Sequence, residues 1–212
     1  MHLQTTHIPV AEHIGQHLPA AATITLPETR FQLSPVVHPT NTVGDPASRT
    51  FWSAEANARY IVRETGVDIF GPLPDWSAKR ANLGASGRRA PLGKAGLPPT
   101  GFELWRAADE AAGVERGDAP VAWHMIGWLP QDRSEQDWLF HVQAFIDRNL
   151  VIQGMVADWA IHRQADAQGR WTTRPHVHIV ATARFWAGPK LGLPQPNWLT
   201  SRRMRDALHD AW

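Results

Sequence analysis

Three histidines in the second half of the chain, His162, His176 and His178, have the residue type and spacing of a metal site. The segments 155–162 and 176–183 are rich in Val, Ile, Ala and Thr and contain no Gly or Pro, as expected of buried strands. Alternate side chains of a strand share a face, so His176 and His178 point the same way, with Cα atoms roughly 7 Å apart.

The polar segment 163–175 between these strands predicts a β-hairpin with a long loop. His162 then ends one strand where His176 and His178 begin the next, and the three imidazoles face one another across the ladder. Neutral imidazoles bind divalent cations and leave other coordination positions for water or substrate. The alternative is that the histidines are structural and that the alternating pair is a chance pattern, but the third histidine favours a metal site.

A helix that carries the only tyrosine of the chain is predicted upstream of the hairpin. Ser53 is its N-cap, and it runs to about Glu64, with Gly66 as its stop. Its apolar stripe consists of Ala54, Ala58, Ile61 and Val62. Tyr60 lies off this stripe, beside Asn57 and Glu64, and is expected to face away from the core packing.

The other elements predict an α+β fold with an antiparallel sheet. Residues 31–38 form an edge strand interrupted by Pro35, and 119–129 form a further strand. Helices are predicted at 101–113, at 134–149 with a Ser134–Asp137 capping box, and at 199–212. Residues 185–198 are predicted to be a loop. Residues 1–30 have no sustained period and are interpreted as an irregular N-terminal extension before one domain, 31–212.

The sequences GMVADWAIH (154–162) and RPHVHIVATAR (174–184) closely resemble the MobA/MobL relaxases of mobilizable plasmids, which are HUH endonucleases. The resemblance covers roughly residues 31–212. It implies a central antiparallel sheet that carries the histidine site, with helices packed on it. It also implies that Tyr60 is the nucleophile and that the three histidines bind a divalent metal, for which Mn²⁺ or Mg²⁺ is most suitable.

The activity implied by the resemblance is metal-dependent nicking and rejoining of single-stranded DNA at a plasmid transfer origin, through a 5′-phosphotyrosyl intermediate. The implied partners are this DNA, accessory mobilization proteins and a secretion channel. The implied location is the bacterial cytoplasm, with export while covalently bound to DNA. The alternatives are an HUH replication initiator or transposase, a non-catalytic DNA-binding regulator, and a hydrolase that uses metal-activated water and needs no tyrosine.

The formal net charge of +1 means that any DNA-binding surface must be local. Residues 76–102 contain no acidic residue and are expected to form a flexible, phosphate-gripping loop. The predicted DNA contacts are Arg63, Lys79, Arg80, Arg88, Arg89, Lys94, Arg184, Arg202 and Arg203.

One strand departs from the family's pattern. The family often has glutamate at positions near His124 and Ile126, so His124 is interpreted as structural, with a role as an auxiliary base as the alternative. Glu64 is a second auxiliary candidate. The absence of cysteine excludes thiolate metal sites, and no apolar run approaches the roughly 20 residues of a membrane span. Relaxases of this kind usually continue beyond this domain, and the sequence leaves open whether the chain is an excised N-terminal domain.

Overall fold

The computed structural model of the chain describes residues 30–39, 50–92, 96–114, 120–195 and 201–212. The extension predicted over residues 1–30 lies outside this part of the chain except for Arg30, and Lys94 lies outside it as well. Within the described ranges, no helix is both long and apolar enough to cross a bilayer.

Five antiparallel strands form the centre of the fold. They are β1 (Phe31–Val36), β4 (Leu83–Arg89), β5 (Ala122–Trp128), β6 (Ala157–Ala165) and β7 (Trp171–Thr182). Their order across the sheet is β1, β5, β7, β6, β4, so the two histidine-bearing strands β6 and β7 lie side by side in its interior. β1 is an edge strand, as predicted from Pro35.

Helices cover both faces of this sheet. The helices α1 (Ala54–Ile61) and α2 (Glu103–Val114) pack on one face, and α3 (Glu135–Asn149) and α4 (Arg202–Ala211) pack on the other. Two small two-stranded sheets lie in the connections, β2 (Val67–Asp68) with β3 (Gly71–Pro72) and β8 (Arg184–Trp186) with β9 (Leu191–Pro194). Short 3-10 helices occupy Ser77–Asn82 and Val151–Gln153. The predicted α+β fold, a central antiparallel sheet with helices packed on it, is confirmed.

The helix predictions are confirmed, with small differences at the ends. Ser53 caps α1 and accepts a hydrogen bond from the Ala56 amide at 3.0 Å. The capping box of α3 is present. However, α1 ends at Ile61 rather than near Glu64, because Arg63 adopts a left-handed backbone conformation with φ of 60°. Gly66 is therefore not the residue that stops this helix.

The expectation of a flexible loop over residues 76–102 is wrong. It contains a 3-10 helix and β4, an edge strand paired with β6. Small side chains permit this pairing: a Cβ atom on Gly87 would lie only 3.0 Å from the indole ring of Trp159. The two arginines at the end of β4 are held by carboxylates, Arg88 by Asp158 and Arg89 by Asp147.

The connection between the histidine strands is shorter than predicted. β6 continues to Ala165 and β7 already begins at Trp171, so the turn spans only a few residues. The Asp166 carboxylate closes it by accepting hydrogen bonds from the amides of Gln168 and Arg170. The expectation of a loop over residues 185–198 is wrong in part, because these residues include most of the paired strands β8 and β9.

Candidate metal centre and nucleophile

The three histidines converge on the sheet face that α1 covers. His162 lies directly opposite His176 in the register of β6 and β7, and His178 follows two residues later. One ring nitrogen from each histidine lies within 4.8 Å of the other two. The alternation of side chains along β7 places His176 and His178 on this face while Val177 and Ile179 enter the opposite core, as predicted.

The environment keeps the three imidazoles uncharged. Burial lowers the pKa of His162 to about 2, and the nearby Arg63 guanidinium contributes to this shift. Burial also lowers the pKa of His176, and holds that of His178 well below its ordinary value. Neutral imidazoles keep a nitrogen lone pair, which is the form that binds a divalent cation.

Hydrogen bonds select which ring nitrogen each histidine offers. The His176 Nδ1–H donates to the Arg174 carbonyl at 2.8 Å, which leaves Nε2 with the lone pair. The His178 Nδ1 is 2.8 Å from the Nε2 of His124, which leaves Nε2 of His178 as the nitrogen available to a cation. For His162, Nε2–H donates to the Ile61 carbonyl at 2.7 Å and Nδ1 accepts from Arg63 at 2.9 Å. The donor set fits a divalent cation, with the Arg63 guanidinium as its competitor at His162.

Tyr60 lies at this cluster. Its ring centroid is 5.4 Å from that of His178, 6.3 Å from that of His124 and 5.6 Å from that of Trp76. The side chain is half-buried and turns towards the sheet, so the expectation that it faces away from the core packing is wrong. Its polar neighbours explain why it lies off the apolar stripe of α1: the stripe enters the core and Tyr60 meets the histidines.

The start of α1 is fixed by α2, which sets the position of Tyr60. The buried Asp109 carboxylate accepts hydrogen bonds from the amides of Ala54 at 2.7 Å and Glu55 at 2.9 Å, two of the donors that a helix N-terminus leaves free. His38 bonds the same carboxylate at 3.0 Å. Burial raises the pKa of Asp109, and these bonds oppose the rise.

Arg63 lies between Tyr60 and the histidine cluster. Its guanidinium carbon lies 4.6 Å from the centre of the Tyr60 ring, and the side chain bonds His162. The residue is only 5% exposed, and its Nε–H is buried without a hydrogen-bond partner. In the described part of the chain no carboxylate pairs with it. Burying a guanidinium without a counter-charge costs free energy, and an anion bound next to Arg63 would offset that cost.

The sequence match with a known family covers this centre. The model of the MobA/MobL family matches residues 78–198, more than half of the chain. The chain belongs to the MobA/MobL family. The match includes His162, His176 and His178 but begins after Tyr60. The resemblance stated from the histidine strands is thereby confirmed.

Curated relatives of this MobA/MobL domain are much longer proteins. The probable conjugal transfer protein TraA of Sinorhizobium fredii is 36% identical over 70 residues, which are 33% of this chain and 6% of that protein. The conjugal transfer protein TraA of Agrobacterium fabrum is 31% identical over 70 residues, with the same shares. The matched segment is thus a small part of each relative.

A solved structure has the same fold. It is described as "Molecular Basis of Vancomycin Resistance Transfer in Staphylococcus aureus" and superposes with a TM-score of 0.62 at 18% identity. The superposition covers 87% of this chain and 88% of that one. At this identity the similarity concerns the fold alone.

The other predicted DNA contacts lie on several different surfaces of the MobA/MobL domain. Lys79 and Arg80 are exposed in the 3-10 helix that follows Trp76, the indole that packs on Tyr60. Arg184 bonds the Gly192 carbonyl at 3.0 Å. Arg202 and Arg203 are exposed on α4, across the sheet from the histidines. DNA binding by these side chains, and by Arg88 and Arg89, stays a prediction.

The two auxiliary candidates differ in their surroundings. His124 is 2% exposed and contacts both His178 and Asn57 of α1, and burial lowers its pKa to about 3. Glu64 is half-buried beyond the end of α1, where its amide bonds the Arg59 carbonyl.

Asn57 and Trp76 are neighbours of the site whose roles were not predicted from the sequence. Asn57 is three residues before Tyr60 and therefore shares its side of α1, which is the signal that points to it. For Trp76 the sequence contains no comparable signal.

Proposed function

We propose that this domain is the nicking domain of a conjugative relaxase, which cuts and rejoins one DNA strand at a plasmid transfer origin through Tyr60. The observation that carries this proposal is the position of the Tyr60 ring, 5.4 Å from His178 and beside three histidines with convergent nitrogens. A hydroxyl nucleophile next to a cation site is the arrangement that phosphoryl transfer needs.

The relatives support transfer as the process. Two of them are named conjugal transfer proteins, and the proposal extends that role to this chain. Because the match spans 6% of their length, the activities of a whole protein, its accessory mobilization partners, its secretion channel and its export with bound DNA are all part of the proposal.

His162, His176 and His178 would hold the metal ion, with Mn²⁺ or Mg²⁺ as the proposed ion. Such an ion, when bound, polarises the scissile phosphate and offsets the negative charge of the transition state. The sheet fixes the backbone of all three ligands in adjacent strands, and the guanidinium of Arg63 would have to leave Nδ1 of His162 before an ion binds there.

Tyr60 is the proposed nucleophile. Its phenolic oxygen forms a bond to phosphorus, the bond from phosphorus to the 3′ oxygen breaks, and that oxygen leaves with a proton as a 3′-hydroxyl. The phenolic proton passes to a base. The product is a 5′-phosphotyrosyl ester, which retains the energy of the phosphodiester, so the reverse attack by a 3′-hydroxyl rejoins the strand.

Arg63 is proposed to bind a non-bridging oxygen of the same phosphate. Its guanidinium lies over the Tyr60 ring and has a buried Nε–H without a partner. A phosphate supplies both the missing counter-charge and an acceptor for that donor. Exposed Lys79 and Arg80, next to Trp76, are proposed to guide the flanking strand, with Trp76 as a stacking surface for a base.

The test is incubation of the protein with end-labelled single-stranded oligonucleotides from a panel of transfer origins and Mn²⁺, followed by denaturing gels without protease treatment. A labelled band at the mass of the protein is expected from the wild type. Tyr60→Phe removes only the nucleophilic oxygen and should abolish this band. His141→Gln, on the opposite face of the sheet, is the matched control and should retain it.

Three results would contradict the proposal. Cleavage that survives Tyr60→Phe would assign the reaction to metal-activated water. Binding of origin DNA without cleavage of any oligonucleotide would assign the domain to regulation. Covalent adducts formed on replication or transposon origins, with none on transfer origins, would assign it to the replication initiators or transposases of the same chemistry.

A further inference from the structure

We propose that Asn57 and His124 form a relay that sets the tautomer of His178 and thereby aims its Nε2 lone pair at the metal position. The relay consists of two hydrogen bonds, from His124 to Asn57 and from His178 to His124. This inference rests on the metal part of the proposed function. Both residues are positioning residues, because they act on the metal through His178.

The direction of the relay starts at the amide of Asn57. Its Nδ2 lies 2.6 Å from the Thr50 carbonyl and 2.8 Å from the Ser53 carbonyl, so this atom must be the amino group that donates to both. A flipped amide would place its oxygen against two carbonyl oxygens. The Oδ1 of Asn57 therefore faces His124 and can only accept.

The Asn57 oxygen determines which ring nitrogen of His124 carries the hydrogen. Its Nδ1 lies 2.7 Å from the Asn57 oxygen and must carry a hydrogen. The ring is buried, and within the residues that the structure describes no carboxylate touches it, so it is uncharged. A neutral imidazole with a hydrogen on Nδ1 has its lone pair on Nε2, which can only accept.

The lone pair on His124 in turn determines the tautomer of His178. The His124 Nε2 lies 2.8 Å from the His178 Nδ1, which must therefore donate. The lone pair of His178 then resides on Nε2, the ring nitrogen left to act with those of His162 and His176. Without the relay, neutral His178 would divide its hydrogen between two nitrogens, and a fraction of the rings would present N–H to the cation.

The relay also connects two elements of the site. Asn57 is on α1, three residues before Tyr60, whereas His124 and His178 are on the adjacent strands β5 and β7. The same bonds thus hold the helix of the nucleophile against a metal ligand. The family often has glutamate near His124, which was interpreted as structural here; in this chain two neutral side chains, Asn57 and His124, make the hydrogen bonds that lead to His178.

The first readout is long-range ¹H–¹⁵N NMR of the metal-free protein, which distinguishes protonated from unprotonated ring nitrogens. In the wild type, His178 should show an unprotonated Nε2. Asn57→Leu and His124→Leu should give mixed tautomers of His178. His124→Gln supplies an amide oxygen that accepts the same bond and should restore the wild-type signal.

The second readout is calorimetric titration of the same proteins with Mn²⁺ in the absence of DNA. Outer partners of metal-bound histidines typically change metal affinity about 10–100-fold. His124→Leu should raise the Kd by this factor, and His124→Gln should recover most of it. His141→Gln is the control and should bind as the wild type does.

Two results would overturn the relay. One is an unprotonated Nε2 of His178 in both leucine variants, and the other is a Kd for Mn²⁺ that is equal in His124→Leu and the wild type. Neither result touches Tyr60, whose adduct assay tests the proposed function separately. Failure of the wild type to bind Mn²⁺ at all would instead overturn the metal role, and the relay with it.

Discussion

The two faces of the central sheet differ in the polar side chains that they bury. The face covered by α3 and α4 is an apolar core in which aromatic and aliphatic side chains interlock. The face covered by α1 and α2 also has an apolar cluster. It additionally buries polar and charged groups next to Tyr60: Asn57, Arg63, His124, His162 and His178.

This difference indicates that one face of the sheet mainly stabilises the fold and that the other carries the functional groups. Burying a polar group is costly unless it is hydrogen-bonded, and burying an unpaired charge costs more. The α1 face has both, including an arginine in a left-handed backbone conformation. Such features are retained where they serve binding or catalysis. We therefore expect substitutions in the apolar core of the α3 face to change stability and those in the polar cluster beside Tyr60 to change function.

The largest effect on stability is expected from Trp138→Ala on α3. Trp138 is 2% exposed in the apolar core, and its Nε1–H donates to the Pro130 carbonyl at 2.7 Å. The substitution should lower the free energy of unfolding by about 3–5 kcal/mol, measured by urea denaturation. Phe140→Ala on the same helix removes a ring that is 74% exposed and should change it by less than about 0.5 kcal/mol. Equal losses for both variants would contradict this view of the α3 face.

Acid should lower the free energy of unfolding of the protein through the buried histidines of the α1 face. An unfolded histidine binds a proton below about pH 6.5, whereas burial keeps His124 and His162 neutral down to pKa values of about 3 and about 2. The unfolded state then binds more protons, so stability falls as the pH drops below 6.5. These two residues alone should remove about 3 kcal/mol by pH 5.5. Urea denaturation of metal-free protein at pH 7.5, 6.5 and 5.5 measures this, and His124→Gln should remove about half of the part that these two residues contribute.

Neighbouring arginines of β4 permit a matched comparison of ion pairs. Arg88 makes a bidentate bond to Asp158, which also accepts from the Trp105 indole at 2.6 Å. Arg89 pairs with Asp147, and both of these side chains are over one-third exposed. Arg88→Ala should lower the free energy of unfolding by about 2 kcal/mol, and Arg89→Ala by less than about 1 kcal/mol. Equal losses of unfolding free energy in the two variants would show that the exposure of an ion pair does not determine its contribution to stability here.

The effect of Arg63→Gly on stability is expected to have the opposite sign. Glycine accepts a φ of 60° without strain, and the substitution removes a buried charge that no carboxylate offsets within the described residues. The free energy of unfolding should rise by about 1 kcal/mol, while the yield of the DNA adduct falls.

The same Arg63→Gly variant tests the competition at His162. It frees Nδ1 of His162 from the guanidinium, so Mn²⁺ should bind more tightly than to the wild type in calorimetric titration. Arg63→Lys retains the charge and is the control. Loss of stability in the glycine variant, or weaker binding of Mn²⁺, would contradict the role assigned to Arg63.

Much of the histidine site was predictable because it depends on local periodicity. The alternation along 176–183 placed His176 and His178 on one face, and the order of the strands placed His162 opposite them. The helix that carries Tyr60 was also predicted, since Ser53 is a strong N-cap. The charged stretch 76–102 was misjudged, because its composition does not reveal that β6 offers an unpaired edge or that Asp158 and Asp147 are available to its arginines.

The sequence by itself determined the residue types of the site, the faces of the strands and the family to which the chain belongs. Tertiary structure alone decided that α1 lies on the histidine face, that Tyr60 turns towards it, and that Asn57 and His124 connect the two. These facts depend on contacts between residues 54 to 99 positions apart, such as His124 with Asn57 and Arg63 with His162. Contacts of this kind follow from packing in three dimensions, and no local period in the chain encodes them.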